Sequence, residues 1–180
     1  MDLISTGFEG LFIIHPKVFE DDRGYFYESY NEKNFRLNGI DAHFVQDNQS
    51  LSQTGVLRGL HFQHPPHNQG KLVRVIIGSV LDVVVDIRKN SITYGKHYSI
   101  VLSEKNKTML WVPSGFAHGF LTLEDNTIFS YKCTNFFNKE SEDCILWNDE
   151  ILGIDWDVKS PILSEKDMAG KLFTSFVSPF

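Results

Sequence analysis

The strongest constraint on the fold is a succession of short segments rich in β-branched and aromatic residues, separated by Gly, Pro, Asn and Asp. Residues 71–88, KLVRVIIGSVLDVVVDIR, are typical of two strands around a turn at Gly78-Ser79. The other predicted strands are Leu11–Phe19, Gly24–Tyr30, Phe44–Leu51, Val56–Gln63, His97–Ser103, Thr108–Val112, Phe120–Leu123 and Thr127–Thr134. Because no long helical pattern separates these segments, they favour an all-β antiparallel sandwich, jelly roll or small barrel over a parallel βαβ fold.

Helices are predicted only as short connectors. Asn31 is a suitable N-cap for a helix that ends at Leu37 and buries Phe35. In the C-terminal tail, Asp149–Ile154 and Ser164–Lys171 are predicted helical turns that close one end of the barrel.

Composition and charge exclude several functional classes. A net charge of −6, with no block rich in Lys or Arg, argues against nucleic acid or an anionic membrane as a partner. No basic leader precedes an apolar run, and no segment approaches the roughly 18 apolar residues of a membrane span, so a cytoplasmic protein is expected. Cys133 and Cys144 lack C-x-x-C spacing and are expected to be buried thiols. The 180 residues, 42% of them hydrophobic, predict a single domain over residues 1–180.

Polar side chains that could perform chemistry are concentrated in residues 58–71, RGLHFQHPPHNQGK, and in residues 111–120, WVPSGFAHGF. These segments match in part the two motifs of the cupin superfamily, whose histidines and carboxylate usually bind a metal. Lys71 stands where the first motif has its Glu, and Gln63 stands where it has its second His. A metal site would therefore lose its carboxylate and gain a cation, so we expect no metal and no cofactor.

A combination of His, Lys and Tyr suits proton abstraction beside a carbonyl group. A neutral histidine is a general base near pH 7, a lysine can stabilise an oxyanion, and a tyrosine can return a proton to the opposite face. Tyr131 is the best-placed tyrosine because it lies on a predicted core strand. The tyrosines that compete with it on residue type alone are Tyr25, Tyr27, Tyr30, Tyr94 and Tyr98.

Strand parity limits which side chains can share one cavity. Arg58 and His61 differ by three positions, so on a regular strand they would face opposite sides of the sheet. Gly59 permits a β-bulge that would bring both to the same face. Lys71 is expected at the rim of an apolar interior, where burial and a nearby Arg58 would lower its pKa.

Eight blocks occur in order between Phe8 and about Asp167: FEDDRGYFYE, QDNQSLS, GVLRGLHFQ, QGKLVRV, DVVVDIR, VPSGFAHGF, YKCT and ILSEKD. Together they resemble the dTDP-4-dehydrorhamnose 3,5-epimerase family, metal-free cupins of deoxysugar biosynthesis, far more specifically than one motif could. The resemblance implies a cupin-type jelly roll, also called a double-stranded β-helix barrel, with short helices in the N-terminal connector and the C-terminal tail. It also implies a homodimer in which the N-terminal strands complete the partner's sheet and site.

The resemblance further implies a conversion of dTDP-4-dehydro-6-deoxy-D-glucose into dTDP-4-dehydro-L-rhamnose. His61 would be the base and Asp167 its partner. Lys71 would stabilise the enolate oxygen on carbon 4, and Tyr131 would be the acid on the opposite face. The residues implied to bind the nucleotide sugar are Arg23, Phe26, Glu28, Gln46, Asn48, Arg58, His118, Glu142 and Lys166.

Three alternatives stay open at this point. A relative could invert only one carbon, or act on another nucleoside diphosphate 4-keto sugar, with the same His61, Lys71 and Tyr131. A metal-dependent cupin could use His61 and His118, with His64 or His67 as a further ligand. A third hypothesis is a cupin that binds a sugar without catalysis.

Overall fold

The computed structural model describes residues 1–180 and contains thirteen strands, two short α-helices and one 3₁₀-helix. The strands are β1 Asp2–Ser5, β2 Phe12–His15, β3 Phe19–Asp21, β4 Gly24–Phe26, β5 Gln46–Ser52, β6 Leu57–Gln63, β7 Lys71–Ile77, β8 Ser79–Asp86, β9 His97–Ser103, β10 Met109–Val112, β11 Phe116–Thr122, β12 Thr127–Cys133 and β13 Glu142–Cys144. The helices are α1 Glu32–Leu37, α2 Glu165–Met168 and the 3₁₀-helix Phe173–Ser175. Neither α-helix is long and apolar enough to cross a membrane.

The strands form two large antiparallel sheets and one separate hairpin. The six-stranded sheet has the order β1-β2-β10-β7-β12-β5, and the five-stranded sheet has the order β13-β6-β11-β8-β9. The hairpin consists of β3 and β4 and pairs with neither sheet. Strands that are consecutive in sequence, such as β7 and β8, lie in different sheets, so the chain winds around both sheets as in a jelly roll. The predicted all-β, cupin-type jelly roll is confirmed.

The residues between the two sheets follow the period of two that a strand requires. On β8, Val80 and Val84 belong to an inner cluster together with Phe120 and Phe129 from two other strands. The neighbouring Val85 faces outward and belongs to a second cluster. One face of each strand therefore fills or lines the barrel, while the other face packs against covering segments.

Two segments cover the outer faces of the sheets. The C-terminal tail packs Leu152, Trp156 and Phe176 against the five-stranded sheet. The N-terminal connector packs Phe35 and Ile40 against the six-stranded sheet. The central strands of the two sheets are thus covered on both faces, which accounts for runs such as β8 and β11 that are buried almost throughout.

The turn predicted at Gly78-Ser79 is present, but it is a corner between the sheets rather than a hairpin. Gly78 has a φ of +81°, and a Cβ atom there would collide with the side chain of Thr127. Glycine is therefore required both for the backbone conformation and for the close approach of β12.

The element boundaries agree with the predictions where local signals were strong. Asn31 caps α1 by accepting a hydrogen bond from the Asn34 backbone, and Phe35 is buried as expected. The strand predicted over Leu11–Phe19 was too long, because the chain divides there into β2 and β3 around Pro16. Asp149–Ile154 forms turns as predicted, and the Asp149 carboxylate accepts the backbone N–H groups of Ile151 and Leu152.

Candidate active site

A cavity of about 310 Å³ opens between the two sheets. Nine of the thirteen predicted site residues line it, namely His61, Lys71, Tyr131, Gln46, Asn48, Arg58, His118, Glu142 and Lys166. The remaining lining residues are Gln49, Ser50, Gly119, Phe120, Phe129 and Phe137. The two sheets contribute different functional groups to the cavity, so its chemistry depends on which groups of one sheet lie opposite those of the other.

The five-stranded sheet contributes a histidine that is paired with a buried carboxylate. His61 Nε2 lies 2.6 Å from Asp167 Oδ1, and the side chains are 24% and 4% exposed. Since an ionised carboxylate can only accept, Nε2 carries the hydrogen and donates it to Asp167. The lone pair of Nδ1 is then the basic site of the ring.

Hydrogen bonds keep the Asp167 carboxylate ionised. Burial opposes ionisation, but hydrogen bonds from His61 and Ser164 lower the pKa of Asp167 to about 2. Burial lowers the pKa of His61 below its ordinary value, and the bond to Asp167 opposes this effect. At neutral pH the pair is therefore a neutral imidazole beside a carboxylate, which is the state that a general base requires.

The six-stranded sheet contributes the lysine and the tyrosine. Lys71 and Tyr131 lie on adjacent strands, β7 and β12, and Lys71 Nζ is 5.9 Å from the centre of the Tyr131 ring. Burial raises the pKa of Tyr131, so its hydroxyl group keeps a proton that it can donate. Burial also lowers the pKa of Lys71, as expected, but the cation that adds to this effect is Lys166 rather than Arg58.

The β-bulge expected at Gly59 is present. His61 pairs with His118 while Arg58 pairs with Phe120, so β6 contains one more residue than β11 over this interval. The bulge brings Arg58 and His61 to the same cavity. Gly59 has a φ of +138° and packs so closely on Gly119 that neither position has room for a side chain.

A second histidine of the cavity is also bound to an aspartate. His118 Nε2 lies 3.0 Å and 2.9 Å from the two carboxylate oxygens of Asp82, and both side chains are buried. Sequence reasoning missed Asp82. The sequence feature that could have identified it is a single carboxylate at an inward-facing position of β8, between Val80 and Val84.

The remaining polar residues of the cavity are held by contacts with each other. Lys166 Nζ lies 2.6 Å from Glu142 Oε1 at the edge of the cavity. Gln46 donates to Asn48 Oδ1 at 3.1 Å. Arg58 donates to Ser52 Oγ through two nitrogens at 3.3 Å. These contacts orient amide and guanidinium groups that suit a diphosphate and a polar sugar.

Three predicted binding residues lie outside this cavity. Arg23 belongs to the β3–β4 hairpin, where its side chain is 90% exposed and contacts Asp21 at 2.5 Å. Phe26, on the same hairpin, is 68% exposed. Glu28 accepts hydrogen bonds from Asn31 and Asn34 at the start of α1. Within one chain, these residues do not meet the rest of the site.

The donor atoms around His61 suit proton transfer better than metal binding. His61, Cys144 and Asp167 place one potential ligand atom each within 4.8 Å of one another. However, burial raises the pKa of Cys144 to about 12, whereas the metal-binding form of cysteine is the thiolate. The metal hypothesis offered His64 or His67 as the further ligand, but His64 is bound to Asp143 at 2.9 Å and neither histidine lines the cavity.

The chain is similar over almost its whole length to proteins of one family. Residues 5–175 match the family model described as dTDP-4-dehydrorhamnose 3,5-epimerase. The enzyme of that name from Shigella flexneri is 51% identical over 174 residues, which are 96% of each chain. The crystal structure of the Elizabethkingia anophelis epimerase has 53% identity and a TM-score of 0.91, with 97% of both chains covered. That of dTDP-6-deoxy-D-glucose-3,5-epimerase from Legionella pneumophila in complex with dTDP-4-keto-L-rhamnose has 48% identity and a TM-score of 0.93, and covers 98% of this chain and 94% of its own. The chain therefore belongs to the dTDP-4-dehydrorhamnose 3,5-epimerase family.

Proposed function

We propose that this chain converts dTDP-4-dehydro-6-deoxy-D-glucose into dTDP-4-dehydro-L-rhamnose by inverting carbons 3 and 5, as a step of dTDP-rhamnose biosynthesis. The observation that carries the proposal is the opposition of two proton-transfer groups within one cavity. His61, with Asp167, belongs to the five-stranded sheet, while Tyr131 belongs to the six-stranded sheet. A sugar bound between the sheets would have a base on one face and an acid on the other.

The first half of each inversion removes a proton. Nδ1 of His61 takes the proton from the carbon next to the carbonyl group, and the C–H electron pair forms a carbon–carbon double bond to carbon 4. The carbonyl oxygen thereby becomes an enolate oxygen. Lys71 stabilises this oxygen, and Asp167 stabilises the imidazolium that forms on His61.

The second half returns a proton to the opposite face. Tyr131 donates its hydroxyl proton to the carbon, and the electron pair of the carbon–carbon double bond forms the new C–H bond. A lone pair of the enolate oxygen then restores the carbonyl group at carbon 4. The resulting phenolate and imidazolium exchange protons with solvent before the next cycle. Because the same carbonyl group acidifies carbons 3 and 5, one base and one acid are sufficient for both inversions.

Proton NMR of dTDP-4-dehydro-6-deoxy-D-glucose in D₂O, with enzyme and a chelator, tests the proposed function. We expect the signals of the hydrogens on carbons 3 and 5 to disappear and a product of inverted configuration to form, because each inversion replaces the original hydrogen with one from solvent. Loss of one signal would support an epimerase that acts on a single carbon. Loss of neither signal would contradict the proposal, and activity that returned only when a divalent metal was added would support the metal-dependent hypothesis.

We further infer that the chain acts as a homodimer in which the β3–β4 hairpin of one subunit completes the cavity of the other. Arg23 and Phe26 support this inference. Both are predicted to bind the nucleotide sugar, yet both side chains are largely exposed to solvent in a single chain. Phe19, Tyr25 and Phe26 are large apolar side chains that are each more than half exposed on this hairpin. Such a cluster is typical of a surface that contacts a partner.

Mixing two inactive variants tests the shared site. One variant carries His61→Ala, and the other carries Arg23→Ala together with Phe26→Ala. After subunit exchange, a hybrid dimer contains one cavity with both native parts, so the mixture should recover about a quarter of wild-type activity. If the hairpin serves the cavity of its own chain, the mixture will stay as inactive as its components. The proportion of hybrids is measured by native mass spectrometry.

We also infer that residues 1–180 form a single domain that works in the cytoplasm. The packing of the N-terminal connector and the C-terminal tail on opposite sheets supports one cooperative unit. The cysteines, Cys133 and Cys144, are buried and not linked to each other, which is typical of a reducing compartment.

A further inference from the structure

The segment that carries Asp167 is an arch fixed at both ends to the five-stranded sheet. Before α2, Ile162 forms a parallel bridge with Val56, and its backbone carbonyl accepts a hydrogen bond from Leu57 at 3.0 Å. After α2, Lys171 forms a parallel bridge with Ile145. The ends of the arch are therefore held by backbone hydrogen bonds that do not depend on the side chains between them.

Between these ends, apolar packing holds the arch only ahead of the helix, where the partly buried Leu163 packs against the core of the five-stranded sheet. Helix α2 has only four residues, and Asp167 is the one residue among them that is buried. Met168, its only apolar side chain, is 56% exposed. A helix this short has little stability of its own. The orientation of the Asp167 carboxylate is therefore set by its hydrogen bonds rather than by apolar packing of the helix.

The two oxygens of the Asp167 carboxylate have different hydrogen-bond partners. Oδ1 accepts from His61 Nε2 at 2.6 Å and from the Gly59 backbone at 3.1 Å. Oδ2 accepts from the Ser164 hydroxyl at 2.5 Å and, at 3.4 Å, from the Ser164 backbone. In return, the Asp167 backbone donates to Ser164 Oγ at 3.2 Å. This is a capping box in which the residue at the third helical position is also the partner of His61.

We propose that Ser164 is a positioning residue, whose hydroxyl group holds the Asp167 carboxylate in the orientation that His61 requires. Without this hydroxyl group, Oδ2 would have only the long backbone contact and the carboxylate could rotate. His61 would then lose part of the hydrogen bond that fixes its tautomer and stabilises its protonated form. The expected effect on kcat rests on the proposed function. The expected effect on the ionisation of His61 does not.

Ser164→Ala should lower kcat about 10- to 100-fold, the range typical of removing a group that orients a catalytic side chain. KM should stay nearly unchanged, because neither Ser164 nor Asp167 lines the cavity. The bond to Asp167 raises the pKa of His61, so a weaker bond should move the acid limb of the kcat/KM profile to lower pH. Ser164→Thr keeps a hydroxyl group, so its kcat and the acid limb of its kcat/KM profile should match those of the wild type.

Two further variants separate positioning from folding. Ser164→Gly removes the hydroxyl group but keeps a residue that is well tolerated at an N-cap, so it should fold and reproduce the kinetic defect of Ser164→Ala. Ser103→Ala removes a hydroxyl group at the end of β9 that accepts from the Asn106 backbone, away from the cavity. This matched control should change neither kcat nor the pH profile.

NMR titration of the His61 ring protons measures the same effect without substrate. The pKa of His61 should be lower in Ser164→Ala and Ser164→Gly than in the wild type, and unchanged in Ser103→Ala. A wild-type enzyme that fails to epimerise the dTDP sugar would contradict the proposed function but leave this titration as a valid test. An unchanged His61 titration in the Ser164 variants, or a normal kcat, would overturn the role of Ser164.

Discussion

Replacing His61 with alanine is expected to lower the rate of epimerisation at both carbons by about 10³-fold or more, the largest effect of any single substitution in the cavity. General-base catalysis is typically worth about 10²- to 10⁴-fold, and water cannot take the place of a base that is fixed beside the carbon. Because His61 serves both inversions, deuterium from solvent should enter neither carbon 3 nor carbon 5. The exchange is measured by proton NMR over a time course long enough to detect residual turnover.

His64→Ala is the control for this substitution. His64 lies three residues further along the chain and is likewise bound to an aspartate, Asp143, at 2.9 Å. It does not line the cavity, so its removal should leave the exchange rates close to those of the wild type. Exchange at one carbon in the His61→Ala enzyme, with none at the other, would mean that a second base serves one of the two inversions.

Replacing Tyr131 with phenylalanine is expected to lower the yield of inverted product by about 10²-fold or more while proton removal continues in part. The substitution keeps the ring, which packs beside Phe129 with the ring centres 6.1 Å apart, and removes only the hydroxyl group. His61 would still remove the proton and generate the enolate of the sugar, but no acid would protonate the opposite face of that enolate. Deuterium should therefore enter the substrate with retention of configuration more rapidly than inverted product forms.

The ratio of exchange to inversion is the quantity that identifies an acid. Tyr98→Phe is a suitable control, because Tyr98 packs edge-on against Phe8 and does not line the cavity. Its ratio should equal that of the wild type. If Tyr131→Phe lowered exchange and inversion equally, Tyr131 would have no separate role as the acid, and another donor in the cavity would have to be sought.

Local sequence signals were sufficient for much of the fold. Strand β9 has the bounds that its alternating pattern predicted, and α1 begins after the N-cap Asn31 as predicted. Gly59 predicted the bulge, because a glycine adopts the backbone conformation of a bulge without steric cost and lies between two polar residues of opposite parity. Strands β1 and β13 were missed, since three or four residues of mixed polarity give no clear period.

Long-range arrangement was less accessible from the sequence. The pairing of His61 with Asp167 joins residues 106 positions apart, and only the family resemblance suggested it. Asp82 was overlooked because its importance depends on the inward face of β8, which lies opposite His118 only in the folded sheet. That Arg23 would lie outside the cavity of its own chain also depends on tertiary structure, since the hairpin pairs with neither sheet.

The proposed base and the proposed acid belong to different sheets, so the packing of the hydrophobic interior influences the distance between them. Phe120 of β11 and Phe129 of β12 come from the two facing sheets, and their rings stack with centres 4.2 Å apart at the wall of the cavity. Because this stack lies between the two sheets, we infer that it acts as a spacer that contributes to the gap between His61 and Tyr131. A hexose ring has a set thickness, so the width of the interior determines whether both groups can touch it together. Substitutions that thin or thicken the spacer would alter turnover without changing any group that transfers a proton.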